Sequence, residues 1–182
     1  ALRQIVRNAI AEGLIRNQPD ESKDFYYPQR KFDDPNIGPS MHQVCAQLVK
    51  EVSKKHAELP GLSWALAENL KTGGLPIVLF FSHAWAEGVF EFIRNALAAW
   101  PDDCEGAYIC CLSNPQNLDA YSAEWLGSTV ETSPFHRILC SGTVSNFVML
   151  ANSNTPIHSR LWCVYEAHIA IEQEIGRVAI CG

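Results

Sequence analysis

From residue 75 onward, short apolar runs alternate with amphipathic stretches. Each apolar run is long enough for one buried strand, and each amphipathic stretch has apolar residues three and four positions apart, as a helix covering a sheet does. This alternation is typical of a parallel sheet with helices on its faces. Strands are predicted at residues 76–82, 107–112, 146–151 and 177–181, and helices at residues 88–100, 134–140 and 159–175. We therefore expect an α/β domain over residues 75–182.

The first 74 residues are predicted to form an N-terminal helical extension, because their regular parts have apolar side chains at helical spacing. The predicted helices are residues 1–16, 40–59 and 62–70. Ser40 is of a type that caps helix N-termini, whereas residues 17–39 are polar and interrupted by prolines, which predicts a long loop. Since the chain stops directly after the fourth predicted strand, we expect it to be an excerpt of a longer protein.

Composition and charge argue against several classes of protein. Among 182 residues, 14 are Lys or Arg and 20 are Asp or Glu, which gives a net charge of −6. There is no basic run of the kind that contacts nucleic-acid phosphates. No apolar run has the length of a membrane span. We therefore expect neither nucleic acid nor a membrane as a partner.

The seven cysteines indicate a reducing compartment. Their number is odd, several lie within apolar runs, and none belongs to a Cys-x-x-Cys pair or a Cys/His pattern with zinc spacing. Secreted proteins commonly pair their cysteines, so we interpret these as reduced core thiols of a cytoplasmic protein. No metal site is predicted.

Polar and aromatic side chains follow two predicted strands at their carboxyl ends, where open parallel sheets bind ligands. Ser82, His83 and Trp85 end or follow the first of these strands. The other strand is followed by Asn152, Ser153 and Asn154. Their amide and hydroxyl groups suit ribose or phosphate oxygens. The simpler alternatives are turn chemistry for the Asn and Ser residues and a structural role for His83.

The helix predicted at residues 159–175, with Ser159 as its cap, carries the next candidate group. Trp162 and Glu166 lie one turn apart on it, with Cys163 beside them. This group is expected to meet the strand ends in one pocket. Spacing alone leaves open the alternative in which Glu166 is solvated and Trp162 is a core residue.

Residues 80–83 read Phe-Phe-Ser-His at the end of the first strand, and residues 162–166 read Trp-Cys-Val-Tyr-Glu. These segments resemble the TIR (Toll/interleukin-1 receptor/resistance protein) domain, in which a Ser-containing loop follows the first strand and a later helix carries a Trp-Cys-x-x-Glu element. The resemblance covers about residues 75–182. It implies a flavodoxin-like parallel sheet flanked by helices.

The resemblance also implies an activity, because many TIR domains cleave NAD+ between nicotinamide and ribose. The family's catalytic glutamate matches Glu166. Breaking this bond develops an oxocarbenium-like cation that a carboxylate stabilises, and nicotinamide leaves readily, so no metal or other cofactor is expected. The resemblance further implies that Trp85 and Trp162 form the wall of a nicotinamide pocket. The implied polar contacts to NAD+ are Ser82, His83, Asn152, Ser153 and Asn154.

Two other functions remain open from the sequence. The chain is alternatively a non-catalytic signalling module that self-associates through exposed helix faces and the loop at residues 113–133. Since TIR enzymes commonly act as assemblies, this function is compatible with catalysis. The weaker alternative is a hydrolase with Cys163 as nucleophile and His83 as base, although thiols on the sheet side of a helix are commonly buried and inert.

Overall fold

The computed structural model describes residues 1–18, 27–54, 61–116 and 127–182. Its strands are β1 (Leu79–Ser82), β2 (Ala107–Ile109), β3 (Asn146–Leu150) and β4 (Arg177–Cys181). They form a four-stranded sheet in the order β2-β1-β3-β4, and every neighbouring pair is parallel. The first strand is therefore central, as in doubly wound flavodoxin-like sheets.

Helices and short turns connect the strands. The α-helices are α1 (Leu2–Ala11), α2 (Gln29–Phe32), α3 (Met41–Val44, continued by the π-helical segment Cys45–Val49 and by Lys50–Lys54), α4 (Trp64–Glu68), α5 (Val89–Ala99), α6 (Cys110–Ser113), α7 (Pro134–Leu139) and α8 (Leu161–Glu172). Turns of 3-10 helix occupy Leu70–Thr72, Val130–Thr132 and Ile157–Ser159. Within the described ranges, no helix combines the length and apolar character needed to cross a membrane.

Successive strand residues point to opposite faces of the sheet. The inner strands β1 and β3 are buried on both faces, whereas the edge strand β4 is largely exposed. Phe81 and Val148 belong to a hydrophobic cluster that includes residues of α1, α3 and α5. Phe80 and Phe147 belong to a second cluster, which includes residues of α7 and α8. A parallel sheet covered on both faces is the expected arrangement for strands that read as continuous apolar runs. The predicted α/β fold with a flavodoxin-like parallel sheet flanked by helices is thus confirmed.

The segment that leads into α3 is hydrogen-bonded to the loop between β1 and α5. Met41 N donates to Glu87 O at 2.9 Å, and Ser40 forms an antiparallel bridge with Gly88. A Cβ at Gly88 would lie 2.3 Å from Ile37 O, so only glycine permits this approach. The N-terminal segment therefore helps to hold the loop that follows β1.

The predicted cap of the last helix is wrong. Helix α8 begins at Leu161 with Arg160 as its N-cap residue. Ser159 instead ends a 3-10 turn, and its hydroxyl donates to Pro156 O at 2.7 Å. Ser159 therefore lies one residue before the N-cap position, where the Arg160 side chain makes no capping hydrogen bond.

Other predicted boundaries are too wide. Helix α1 ends at Ala11, and Gly13 follows it with a φ of 70°. Strand β1 begins at Leu79 rather than at residue 76. Strand β2 ends at Ile109, where the chain turns directly into α6. The predicted end of a helix at residue 59 lies outside the described residues, as does part of the predicted loop at residues 17–39.

Candidate active site at the carboxyl end of the sheet

Two of the predicted site residues, Ser82 and Glu166, are joined by a side-chain hydrogen bond. Ser82 is the last residue of the central strand β1 and pairs with Met149 of β3. Glu166 lies on the buried face of α8. The Ser82 hydroxyl donates to Glu166 Oε2 at 2.5 Å, and the two residues are 1% and 6% exposed. The carboxyl end of the sheet thus holds a buried carboxyl group with a hydroxyl donor.

The surroundings of Glu166 change its acidity. Burial raises the pKa of Glu166 to about 7, against the opposing effects of the Ser82 hydrogen bond and the charge of His83. A carboxyl group with this pKa is present in both protonation states at neutral pH. Such a group is suited to general acid–base chemistry or to the stabilisation of a developing cation.

Cys163 is buried in the same region, and its surroundings keep it protonated. Its Sγ donates to His83 O at 3.6 Å. Burial and the charge of Glu166 raise the pKa of Cys163 to about 11. A protonated, buried thiol is a poor nucleophile. The structure therefore gives no support to the alternative of a Cys163 hydrolase.

The imidazole of His83 points to groups that the sequence analysis did not select. Its Nδ1 lies 2.8 Å from Glu87 Oε1, and its Nε2 lies 3.2 Å from Cys110 Sγ. Trp85 Nε1 donates to the same sulfur at 3.0 Å. His83 and Trp85 thus meet at Cys110. The available signals for this cluster were the four-residue spacing of His83 and Glu87 and the position of Cys110 directly after a strand.

The three polar residues after β3 are held by hydrogen bonds within the protein. Asn152 Oδ1 accepts from the backbone N–H groups of the next turn, at 2.9 Å from Asn154 N. Ser153 donates through both its N and its Oγ, each at 3.0 Å, to the carboxylate of Glu91. The Asn154 side chain donates to Ala86 O and accepts from the Lys31 ammonium. These bonds fix the loop between β3 and α8 against α5 and the β1–α5 loop.

Trp162 lies one turn before Glu166 on α8 and is 43% exposed. Its ring centroid is 5.3 Å from that of Phe135 in α7 and 6.4 Å from that of Tyr165. One part of the indole therefore packs against α7, and the rest is accessible at the surface. The alternative in which Trp162 is a core residue is not what the structure describes.

Glu166 is marked by its burial and hydrogen bond rather than by an open cavity. A cavity of about 320 Å³ is lined by residues that include Tyr108, Asn114 and Arg137, and Glu166 is not among its lining residues. A cavity of about 190 Å³ lies between the first residues of the chain and α4. Among the described residues, no group of three or more His, Cys, Asp or Glu side chains is arranged to hold a metal ion.

The chain matches no protein-family model, no curated protein and no solved structure. The TIR resemblance therefore stays a prediction from residues 80–83 and 162–166, and the catalytic role of Glu166 stays a prediction with it. The geometry and acidity of the Ser82–Glu166 pair are independent of that resemblance.

Proposed function

We propose that this chain is a TIR-like signalling domain that hydrolyses NAD+ at the nicotinamide–ribose bond, with Glu166 as the catalytic carboxylate. The observation that carries the proposal is the buried Ser82–Glu166 pair at the carboxyl end of β1, with its 2.5 Å hydrogen bond. The two partners come from the two segments on which the family resemblance rests. A hydroxyl donor there orients one carboxylate oxygen and leaves the other for the substrate.

The chemistry requires Glu166 in its ionised form. As the bond between nicotinamide and ribose C1′ breaks, its electron pair leaves with the neutral nicotinamide and positive charge develops on the ribose. The carboxylate stabilises that charge. Water then forms the new bond to C1′ and gives up a proton, for which Glu166 is the acceptor. The charge of His83 favours the ionised carboxylate, because it lowers the pKa of Glu166.

The other predicted NAD+ contacts differ in the observations that support them. Trp162 has an exposed part of its ring one turn from Glu166, which suits stacking on nicotinamide. Trp85 is partly exposed but directs its N–H to Cys110. The hydrogen bonds of Asn152, Ser153 and Asn154 favour a positioning role, in which they hold the loop between β3 and α8.

The test is nicotinamide release from NAD+, followed chromatographically with the purified chain at low and high protein concentration. We expect Glu166→Gln to lower the rate at least about 100-fold, as loss of a charge-stabilising catalytic group does. Glu172→Gln is the matched control, because Glu172 is an exposed carboxylate on the same helix. Release that is equal in wild type and Glu166→Gln, or absent from the wild type at every concentration, would contradict the proposal.

A second candidate function is non-catalytic self-association. Helix α8 exposes four apolar side chains, Leu161 (83%), Trp162 (43%), Val164 (45%) and Ile171 (65%). Such a patch favours a protein partner, and for a TIR-like domain we propose a second copy of this chain. Leu161→Glu is expected to lower the mass measured by light scattering; an unchanged mass contradicts this role of α8. Of the loop predicted to take part, residues 117–126 lie outside the described residues.

We also propose a cytoplasmic location. All seven cysteines are free thiols in the structure, which is the usual state of cysteines in a reducing compartment. Expression of the chain with a fluorescent tag in a eukaryotic cell tests this directly. A diffuse cytoplasmic signal is expected, and retention in the secretory pathway would contradict it.

A further inference from the structure

A second cluster of reactive groups lies at the carboxyl edge of the sheet, and it shares His83 and Trp85 with the proposed NAD+ site. Cys110 follows β2 directly, and His83 follows β1. Because β1 and β2 are parallel neighbours, their carboxyl ends bring the two side chains together. The resulting chain of contacts runs from Cys110 Sγ to His83 Nε2 at 3.2 Å and from His83 Nδ1 to Glu87 Oε1 at 2.8 Å.

The chemistry of the contacting groups limits where protons can lie in this cluster. An ionised carboxylate only accepts hydrogen bonds, so Glu87 fixes His83 Nδ1 as a donor. His83 Nε2 then faces the sulfur of Cys110, which also accepts the indole N–H of Trp85 at 3.0 Å. A thiolate can accept both N–H groups, whereas a neutral thiol must orient its own proton toward one of these partners. The sulfur thus accepts an N–H donor on one side and, on the other, contacts an imidazole with which it can exchange a proton.

Burial strengthens the pairing of charges. Glu87 is fully buried, and among the described residues its Oε2 has no hydrogen-bond partner. A buried carboxylate requires a compensating positive charge, and His83 is the group in contact with it.

The pKa shifts of His83 and Glu87 agree with a single proton shared between these two groups. Burial alone would lower the pKa of His83, but the charge of a Cys110 thiolate and hydrogen bonds to Cys110, Cys111 and Glu87 raise it well above its usual value. Burial also raises the pKa of Glu87, against the hydrogen bond and charge of His83. Imidazole is the stronger base, so we assign the proton to His83.

We propose that Cys110, His83 and Glu87 form a thiolate site at which Cys110 is oxidised by hydroperoxides. Cys110 is partly exposed, whereas Cys111 and Cys163 are buried. The contacts of Trp85 and His83 with the sulfur favour a reactant as small as hydrogen peroxide. Glu87 is a positioning residue, because it acts on Cys110 only through His83.

The reaction balances with hydrogen peroxide as the oxidant. The Cys110 thiolate attacks one peroxide oxygen, so that an S–O bond forms and the O–O bond breaks. The second oxygen leaves as hydroxide and takes the proton of His83 Nε2, which yields water and a neutral imidazole. The sulfur loses two electrons and becomes a sulfenic acid, and the peroxide gains them.

The chain contains a matched comparison in Cys140. Its Sγ lies 3.4 Å from His136 Nε2, and His136 Nδ1 lies 2.8 Å from the hydroxyl of Tyr165. Cys140 is more exposed than Cys110, but a neutral phenol replaces the carboxylate as the third group. Burial and the charge of Glu172 raise the pKa of Cys140. If exposure alone decided reactivity, Cys140 would be oxidised first.

The first experiment compares the two thiols within one protein. The whole chain is treated with one equivalent of hydrogen peroxide in the presence of dimedone, which traps sulfenic acids, and the adducts are quantified by fragmentation mass spectrometry. We expect Cys110 to be trapped at least about tenfold faster than Cys140, and Cys110→Ser to remove this adduct while Cys111 remains unmodified. Trapping of Cys140 at an equal or higher rate, or of Cys111 in place of Cys110, overturns the proposal.

The second experiment tests the role of Glu87. The thiolate absorbs near 240 nm, so the difference between wild type and Cys110→Ser at pH 7 reports the thiolate of Cys110. We expect Glu87→Gln to remove this difference and to slow trapping about tenfold. Trp85→Phe keeps an aromatic ring and removes one N–H donor, and it decides the matter if Glu87→Gln does not fold; we expect trapping to slow about threefold. Unchanged absorbance and trapping in either folded variant overturn the proposal.

Discussion

Two buried glutamates lie near the end of strand β1, and they differ in their hydrogen-bond partners. Glu166 is bonded to the hydroxyl of Ser82. Glu87 is bonded to the imidazole of His83. Burial raises the pKa of both carboxyl groups, but only Glu87 has a cationic group in direct contact. The two carboxyl groups are thus similarly buried but lie in different chemical environments.

The difference shows how the partner decides what a buried carboxyl group does. A neutral hydroxyl lets Glu166 exchange its proton near neutral pH, which suits catalysis of charge development. The basic imidazole of His83 compensates the charge of Glu87. Glu87 in turn orients this imidazole, which contacts Cys110. The same strand end therefore supports one carboxyl-based and one thiol-based proposal.

The largest expected effect comes from removing the imidazole. His83→Asn leaves the Glu87 carboxylate buried without its cationic partner, and we expect it to lower the free energy of unfolding by about 4 kcal/mol. Urea denaturation at pH 7 measures the change. The comparison between the two glutamates breaks if His83→Asn costs no more than Ser82→Ala.

A somewhat smaller effect is expected from pH. The pKa of Glu166 is about 7 in the folded chain and is raised above the ordinary 4.5, so the folded state binds the proton more tightly than the unfolded state. The stability contributed by this proton is fully present below about pH 4.5 and is lost as the pH rises through 7.

Unfolding of wild type and Glu166→Gln across this range measures that contribution. Between pH 4 and pH 8 the wild type should lose about 3 kcal/mol relative to Glu166→Gln, since Gln cannot ionise. Parallel pH dependence in the two proteins would show that Glu166 titrates normally.

The smallest effect is expected from Ser82→Ala. Glu166 can take up a proton when it loses this donor, so we expect a loss of only about 1 kcal/mol in the free energy of unfolding at pH 6. The hydrogen bond lowers the pKa of Glu166, and its removal should move the titration of that carboxyl group upward by about one unit. Carbon-13 NMR of labelled glutamate side chains measures the shift, with Glu166→Gln to assign the signal. A downward shift would contradict the assigned role of Ser82.

Much of the fold follows from local patterns in the sequence. The apolar runs predicted all four strands. The inner strands β1 and β3 are largely apolar because both of their faces are buried. The start of α8 was harder to predict from the sequence. Ser159 belongs to a 3-10 turn in which its hydroxyl donates to Pro156 O, and such local turns offer a Ser side chain an alternative to capping a helix.

Within the candidate site, the predicted contact that the structure shows is between residues of two family-like motifs. Ser82 and Glu166 were selected from two such motifs, and the structure brings them into contact. Glu87 and Cys110 were missed because each resembles an ordinary residue in its own segment. Cys110 meets the His83–Glu87 pair because β1 pairs with β2, and this pairing cannot be predicted from either segment alone.

The most direct test of the central claim is the pH dependence of kcat/KM for nicotinamide release from NAD+, since this profile reports groups of the free enzyme. If ionised Glu166 stabilises the developing cation, kcat/KM should rise with pH in one step centred at about 7, the pKa of that carboxyl group. A profile that stays flat between about pH 5 and pH 9 would contradict the claim.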